Sequence, residues 1–175
     1  MNFYTSDLHF FHNNIIRICN RPYSTIEEMH KDIVEKWNKK VKDDDQVYIL
    51  GDLSYKCQDI NALYNLLKQL KGHKHLITGN HDNKWLQHIQ MKDRADVLET
   101  VQLYKTISDN GRMVVLFHYP IEDWDGEYHG SYHLYGHVHN SDNGYRVIPN
   151  RFNVGVDVND FEPKTLDELI ELNKE

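Results

Sequence analysis

Five short polar clusters carry the side chains that could do chemistry: Asp7-x-His9, Gly51-Asp52, Gly79-Asn80-His81-Asp82, a lone His118 and Gly136-His137-x-His139. Each follows an apolar run, and a run that stops at a polar turn is how a sheet strand presents functional groups at its carboxyl end. Taken singly, each has a bland account. Asp7 caps a turn, Asp52 closes a strand, and a lone histidine such as His118 is more often a satisfied core residue. Taken together, the clusters sit at the same end of strands that a parallel sheet would align, so they converge in space. Imidazole, carboxylate and amide oxygen without thiolate suit catalytic divalent metals rather than a structural zinc, with manganese first and iron, zinc or nickel as alternatives.

The elements that must position these groups read as strand, helix, strand, helix, strand in the first half. Phe3-Tyr4-Thr5 is a strand, and Asn13 to Arg21 is polar and partly helical up to Pro22. Thr25 and Glu28 form a capping box before a helix with Ile26, Met29, Ile33, Trp37 and Val41 on one face. Val47 to Leu50 is a buried strand. A second helix carries Ile60, Leu63, Leu66, Leu67 and Leu70 and stops at Gly72, before the strand His75 to Thr78. This alternation specifies an α/β sheet.

In the second half, strand-like runs Leu98 to Ser108 and Arg112 to Phe117 flank Asp109-Asn110-Gly111, a hairpin signal. Leu134-Tyr135 leads into the last motif. Asn143-Gly144 marks another turn, with Tyr145 to Ile148 and Phe152 to Val156 as further strands. A capping box at Thr165 and Glu168 starts a C-terminal helix with Leu166, Leu169 and Ile170. With no repeat or linker, the expectation is one domain, 1–175, with a mixed sheet.

Composition narrows the classes. Charged residues are 27% and hydrophobic ones 39% of 175 residues, an ordinary globular balance. The start of the chain has no signal-like pattern, no run is long enough to span a membrane, and Cys19 and Cys57 are too few for a disulfide framework. A cytoplasmic protein with no membrane partner is expected. A net charge of −7 argues against binding long nucleic acid. Yet 12 histidines are present, and more donors converge than one tetrahedral ion can use. Two divalent ions would bring four positive charges against the two negative charges of Asp7 and Asp52. The site would be locally positive inside an acidic chain, which suits phosphate, and paired ions clamp both oxygens of a phosphoryl displacement.

In order and across residues 7 to 139, these motifs resemble the calcineurin-like metallophosphoesterases, of the small bacterial or phage type. The resemblance implies a four-layer α-β-β-α sandwich, two mixed sheets face to face with helices outside. It also implies that Asp7, His9 and His139 hold one metal, that Asn80, His118 and His137 hold the other, and that Asp52 bridges them. His81 would then face the substrate, stabilise the transition-state charge and help protonate the leaving oxygen, with Asp82 placed to orient it. The activity implied is hydrolysis of a small phosphodiester or nucleotide-type ester by a metal-bridging hydroxide. The alternatives are a nuclease and a non-catalytic scaffold of the same fold.

Two departures matter. Members acting on phosphoproteins carry Gly-Asp-x-x-Asp-Arg-Gly, whereas Gly51-Asp52-Leu53-Ser54-Tyr55-Lys56 lacks the second Asp and the Arg. Phe117 stands where many members place Gly before the single His. For the substrate, Arg17 and Arg21 could fork onto a phosphate, and Tyr119, Trp124 and Tyr128 could stack on a ring. Against these stand a surface ion pair and loop packing. His12, His73, His75, His129 and His133 read as surface or supporting residues, with His12 close behind the first motif.

Overall fold

The computed structural model describes residues 1–175 apart from 56, 58, 142–147 and 175. Four parallel strands make the first sheet, in the order β1 (Asn2–Thr5), β2 (Gln46–Ile49), β3 (His73–Ile77) and β4 (Thr100–Gln102). Strand alternation sends Phe3, Val47, Ile49 and Leu76 to one face and Tyr4, Tyr48, Leu50 and Ile77 to the other. The first set packs under α2 (Ile26–Lys40) and α3 (Ile60–Gln69), whose buried Met29, Ile33 and Trp37 and Leu63, Leu66 and Leu67 follow helical spacing. Short helices α1 (Ile15–Ile18), α4 (Asn83–Leu86) and α5 (Met91–Val97) complete that side, burying Ile15, Trp85 and Val97.

The second set meets a second sheet of β5 (Tyr104–Asp109), β6 (Arg112–Phe117), β7 (Tyr132–Tyr135) and β8 (Arg151–Asn153). Here β5 and β6 are antiparallel and the other pairs parallel, so this sheet is the mixed one. Val114, Leu116, Leu134 and Phe152 fill the space between the sheets, and Leu166 and Leu169 of α6 (Leu166–Leu172) close it. On the outer face Val115 packs with Trp124 and Ile148, beneath a loop that carries the 3₁₀ turn Glu127–His129. The fold is therefore the α/β sandwich of two four-stranded sheets with helices. No helix among the described residues is long and apolar enough to cross a membrane.

Local chemistry explains the boundaries. Asn110 and Gly111 have φ of 51° and 79°, the pair of left-handed residues that a two-residue hairpin turn requires. The Thr165–Glu168 capping box is complete. At α2 the Thr25 hydroxyl accepts from Glu28 N, but the Glu28 carboxylate accepts from Ser24 N, one residue earlier than expected.

Two expectations change. The run Leu98 to Ser108 is not one strand: it breaks at Leu103, which is 63% exposed, and its halves join different sheets. A straight strand cannot belong to both of two sheets stacked face to face. The run Phe152 to Val156 stops at Asn153, and Val156–Val158 is a 3₁₀ turn fastened by Val156 N donating to Ser6 O. The turn at Asn143-Gly144 and most of the strand Tyr145 to Ile148 lie outside the described residues.

The break gives a stability contrast. Leu116→Ala, between the sheets, should cost about 2–5 kcal/mol, and Leu103→Ala less than about 0.5 kcal/mol. Denaturant midpoints compare them, and equal losses would argue that the chain does not break at Leu103.

Candidate metal centre

Register brings the motif residues together. Thr5 pairs with Ile49 and Ile49 with Leu76, so the carboxyl ends of β1, β2 and β3 lie side by side. The pairing continues past the strands, with Asp7 N donating to Gly51 O and His9 N to Asp52 O. Leu116 pairs with Leu134 in the second sheet, so β6 and β7 deliver His118 and Gly136-His137 to the same end. Loops must pass unusually close here. A Cβ on Gly79 would strike the Asp52 carboxylate and the His118 ring, and one on Gly136 would strike Ser6 and Asp7. These glycines supply closeness rather than backbone freedom. Gly51, at φ +88°, supplies both.

The donors form one cluster. Asp7 Oδ2 accepts from Ser6 Oγ (2.6 Å) and His137 N (2.9 Å), which leaves Oδ1 buried without a partner, 4.0 Å from His139 Nε2. His9 Nε2 is also buried without a partner, 3.6 Å from Asp52 Oδ2. Asp52 Oδ1 accepts from His81 N (2.9 Å) and lies 3.7 Å from His118 Nε2. Asn80 Oδ1 is 3.0 Å from both His118 Nε2 and His137 Nδ1. The Asp52 carboxylate thus turns one oxygen toward His9 and the other toward His118. Unpartnered buried polar atoms are costly, and Asp7 Oδ1 and His9 Nε2 are what a cation would satisfy. The residues fit a metal centre. Asp7, His9 and His139 can share one ion, and Asp7 also groups with Asp52 and His118.

The ring orientations are held from behind. His118 Nδ1 donates to Leu50 O (2.7 Å), and His139 Nδ1 pairs with Asp157 Oδ2 (2.7 Å). Both present Nε2 to the centre, as supporting hydrogen bonds do for metal-ligating histidines. Cys19 approaches His139 and Asp157 to make another grouping. Both Asp157 oxygens are already engaged by Arg21 and His139, so we read it as support for the centre.

Several expected roles fall elsewhere. Asp82 does not orient the His81 ring. Its carboxylate accepts from Gly79 N, Asp52 N, Leu53 N and Trp85 Nε1 at 2.8–3.0 Å. It ties the loop after β2 to the loop after β3, and His81 Nδ1 is left without a partner. Arg21 is not a phosphate fork. It is 4% exposed, pairs with Asp157 through Nε and Nη2, and donates to the carbonyls of Asp7 and Leu8. Arg17 is exposed on α1. Trp124 is buried against Val115 with its indole on Ser131 Oγ, so it is core rather than a stacking surface. Tyr119 stays at the centre, its ring 4.6 Å from that of His137. His133 is fully buried, with Nε2 near Tyr119 O (3.1 Å) and Ile121 N (3.3 Å), and it anchors the loop. Sequence reading missed Asp157, whose partners Arg21 and His139 lie far from it in the chain, and Ser6, whose hydroxyl donates to the neighbouring Asp7 carboxylate.

Electrostatics favour a cation. Burial lifts the Asp52 carboxyl to about 7, against the pull of His118 and with the push of the Asp7 charge. Burial also lowers His9 well below the usual imidazole value, with His139 adding to it. At His139 burial pulls downward, but the bond to Asp157, the nearby Cys19 and the Asp7 charge together outweigh it and raise the ring to about 10. A divalent ion would displace that proton and stabilise ionised Asp52. Burial and the Lys84 ammonium lower His81 to about 4, so its ring is neutral at pH 7.

Comparison with known proteins agrees with this geometry. The profile of the calcineurin-like phosphoesterases matches residues 3–141. An uncharacterised protein of Methanocaldococcus jannaschii is 35% identical over 171 residues, 95% of this chain and 88% of that protein. The gene 66 protein of Mycobacterium phage L5 is 38% identical over 81 residues, 45% of this chain and 38% of its own. The crystal structure of a protein of unknown function from Aquifex aeolicus superposes with a TM-score of 0.76 at 26% identity, covering 98% of both chains.

The Asp82 carboxylate generates a second expectation. Asp82→Ala strands four buried donors, each worth about 1–3 kcal/mol, so the loss should be at least about 4 kcal/mol, with metal binding abolished. Thermal unfolding and metal titration measure both. A wild-type melting temperature would mean that those donors find other partners.

Proposed function

The chain belongs to the calcineurin-like phosphoesterase family, and on that premise we propose that it is a hydrolase of small phosphate esters, of phosphodiester or nucleotide type, working with two divalent ions. The observation that carries this reading is the pair of unpartnered buried atoms, Asp7 Oδ1 and His9 Nε2, facing an Asp52 carboxylate turned toward both His9 and His118. Asp7, His9 and His139 would hold one ion, Asn80, His118 and His137 the other, with Asp52 between them. When bound, such ions polarise phosphoryl oxygens and lower the pKa of an attacking water. The donor set, oxygen and imidazole nitrogen, suits manganese first and iron, zinc or nickel next.

His81 belongs to the substrate side of the centre. Its backbone N–H is fixed on Asp52 Oδ1, and its Nε2 lies 3.7 Å from Asp52 Oδ2. A neutral ring there can donate a hydrogen bond to a phosphoryl oxygen. An arriving phosphate anion raises its proton affinity, so the ring can take up a second proton as the substrate binds and, as imidazolium, pass one to the leaving oxygen and return to the neutral form. Tyr55 braces this ring edge-on at 4.7 Å. Room for the rest of the substrate is a cleft of about 390 Å³ beside His12, Asn13, Tyr55 and Asp59, the size of a small-molecule site rather than a polymer track. With the net charge of −7, this favours a compact ester over DNA or RNA. Two free, buried cysteines suit a reducing compartment such as the cytoplasm.

Removing the His81 ring tests its role. His81→Ala should keep its metals and lose about 100-fold or more in kcat, with a smaller change in KM. Metal analysis beside steady-state kinetics reads this, and departure of the metals would make His81 a ligand instead.

Substrate size is tested by comparing kcat/KM for bis(p-nitrophenyl) phosphate with that for a single-stranded oligonucleotide across a salt series. The small diester should be preferred. Preference for the oligonucleotide, with a steep salt dependence, would favour a nuclease.

A further inference from the structure

Of the imidazoles that present Nε2 to the metal centre, His118 and His139 each have Nδ1 fixed by a strong acceptor, the Leu50 carbonyl and the Asp157 carboxylate. His9 has neither. What faces its Nδ1, at 3.3 Å, is Nδ1 of His12. The chain brings the two rings together by a tight turn, His12 N donating to His9 O (3.1 Å), and the rings sit 5.2 Å apart at 48°. Two ring nitrogens at this distance cannot both carry hydrogen or both be bare without losing the bond, so one donates and the other accepts. If His12 donated, the hydrogen of neutral His9 would sit on Nε2, an N–H that is buried, without a partner and useless to a cation. If His9 donates, Nε2 is bare and points where Asp7 Oδ1 and Asp52 Oδ2 also point.

We infer that His12 is a positioning residue whose Nδ1 accepts the hydrogen of His9 Nδ1 and thereby holds His9 in the tautomer that can bind metal. This rests on reading Asp7, His9 and His139 as a metal-holding set. It assigns a role to a residue outside the five motifs. His12 is itself held by stacking on Tyr55, with centroids 4.1 Å apart at 30°, and Tyr55 in turn meets His81 edge-on. The support behind the first motif and the residue facing substrate therefore share one aromatic brace.

Packing and hydrogen bonding at His12 can be separated by two substitutions. His12→Phe keeps a ring to stack on Tyr55 and loses the acceptor. His12→Asn loses the ring and keeps an acceptor oxygen near the place of Nδ1. Long-range proton–nitrogen NMR on the metal-free protein reads the His9 tautomer, and calorimetric titration with Mn²⁺ reads affinity. Neither readout needs turnover. The wild type should show hydrogen on His9 Nδ1 and a bare Nε2. His12→Phe should mix the tautomers and weaken Mn²⁺ by about 10–100-fold, and His12→Asn should stay within a few-fold of wild type. The reverse order would make His12 a packing residue only and overturn the inference, as would wild-type affinity and tautomer in His12→Phe. A wild type that takes up no Mn²⁺ would instead undo the reading of the centre, and the NMR tautomer would still decide the role of His12.

Discussion

The centre depends on one buried carboxylate that touches neither the substrate side nor the metal-facing atoms. Asp82 gathers N–H groups from Gly79, Asp52 and Leu53 and the indole of Trp85 onto two oxygens. Four donors on one ion in the interior are strong, because each is charge-assisted and none competes with water. They fix the loop after β2 against the loop after β3. That fixes Asp52 relative to Asn80 and His81, and through His81 N it fixes the Asp52 carboxylate itself. On the other side, Arg21 and Asp157 do similar work for Asp7 and His139. The groups that could do chemistry are thus bounded by two buried ionic clamps.

Backbone strain at the centre shows how much these clamps hold. Asp7, His9, Asp52, His137 and His139 all have positive φ, between 52° and 74°. Asp and His tolerate this region better than most residues, yet each position still costs on the order of 1–3 kcal/mol when the surroundings enforce it. These left-handed residues turn the chain out of extended geometry just past β1, β2 and β7, where the polar clusters begin.

Much of this was legible in the chain because strand ends announce themselves. The apolar runs before Asp52, Asn80 and His137 predicted strands and their polar ends, and Asn110-Gly111 predicted a hairpin. Three features were not legible, each for a physical reason. The break at Leu103 is a change of sheet, and a local pattern of alternating residues does not say which sheet a strand joins. Arg21 looked like a free cation in a polar segment, but its partner lies 136 residues away. Asp82 looked like the natural partner of His81 because it is adjacent, whereas α4 begins just after Asp82 and turns its carboxylate back under the glycine loop. Contacts at long sequence separation leave no local trace.

The donor set also straddles the seam of the sandwich. Asp7, His9, Asp52 and Asn80 follow strands of the first sheet, while His118, His137 and His139 follow strands of the second. Between the sheets lies an apolar layer, crossed by the buried hydrogen bond that the Tyr4 hydroxyl donates to Asp109 Oδ2. An ion held by both groups is therefore a cross-link between the earlier and later parts of the chain, placed at one rim of that layer. Its binding energy is then coupled to keeping the two sheets closed. A free metal concentration a hundred times the dissociation constant adds about 2.7 kcal/mol to folding. Metal supply and fold stability become one equilibrium, and a cell that withholds the ion loosens the seam as well as the chemistry.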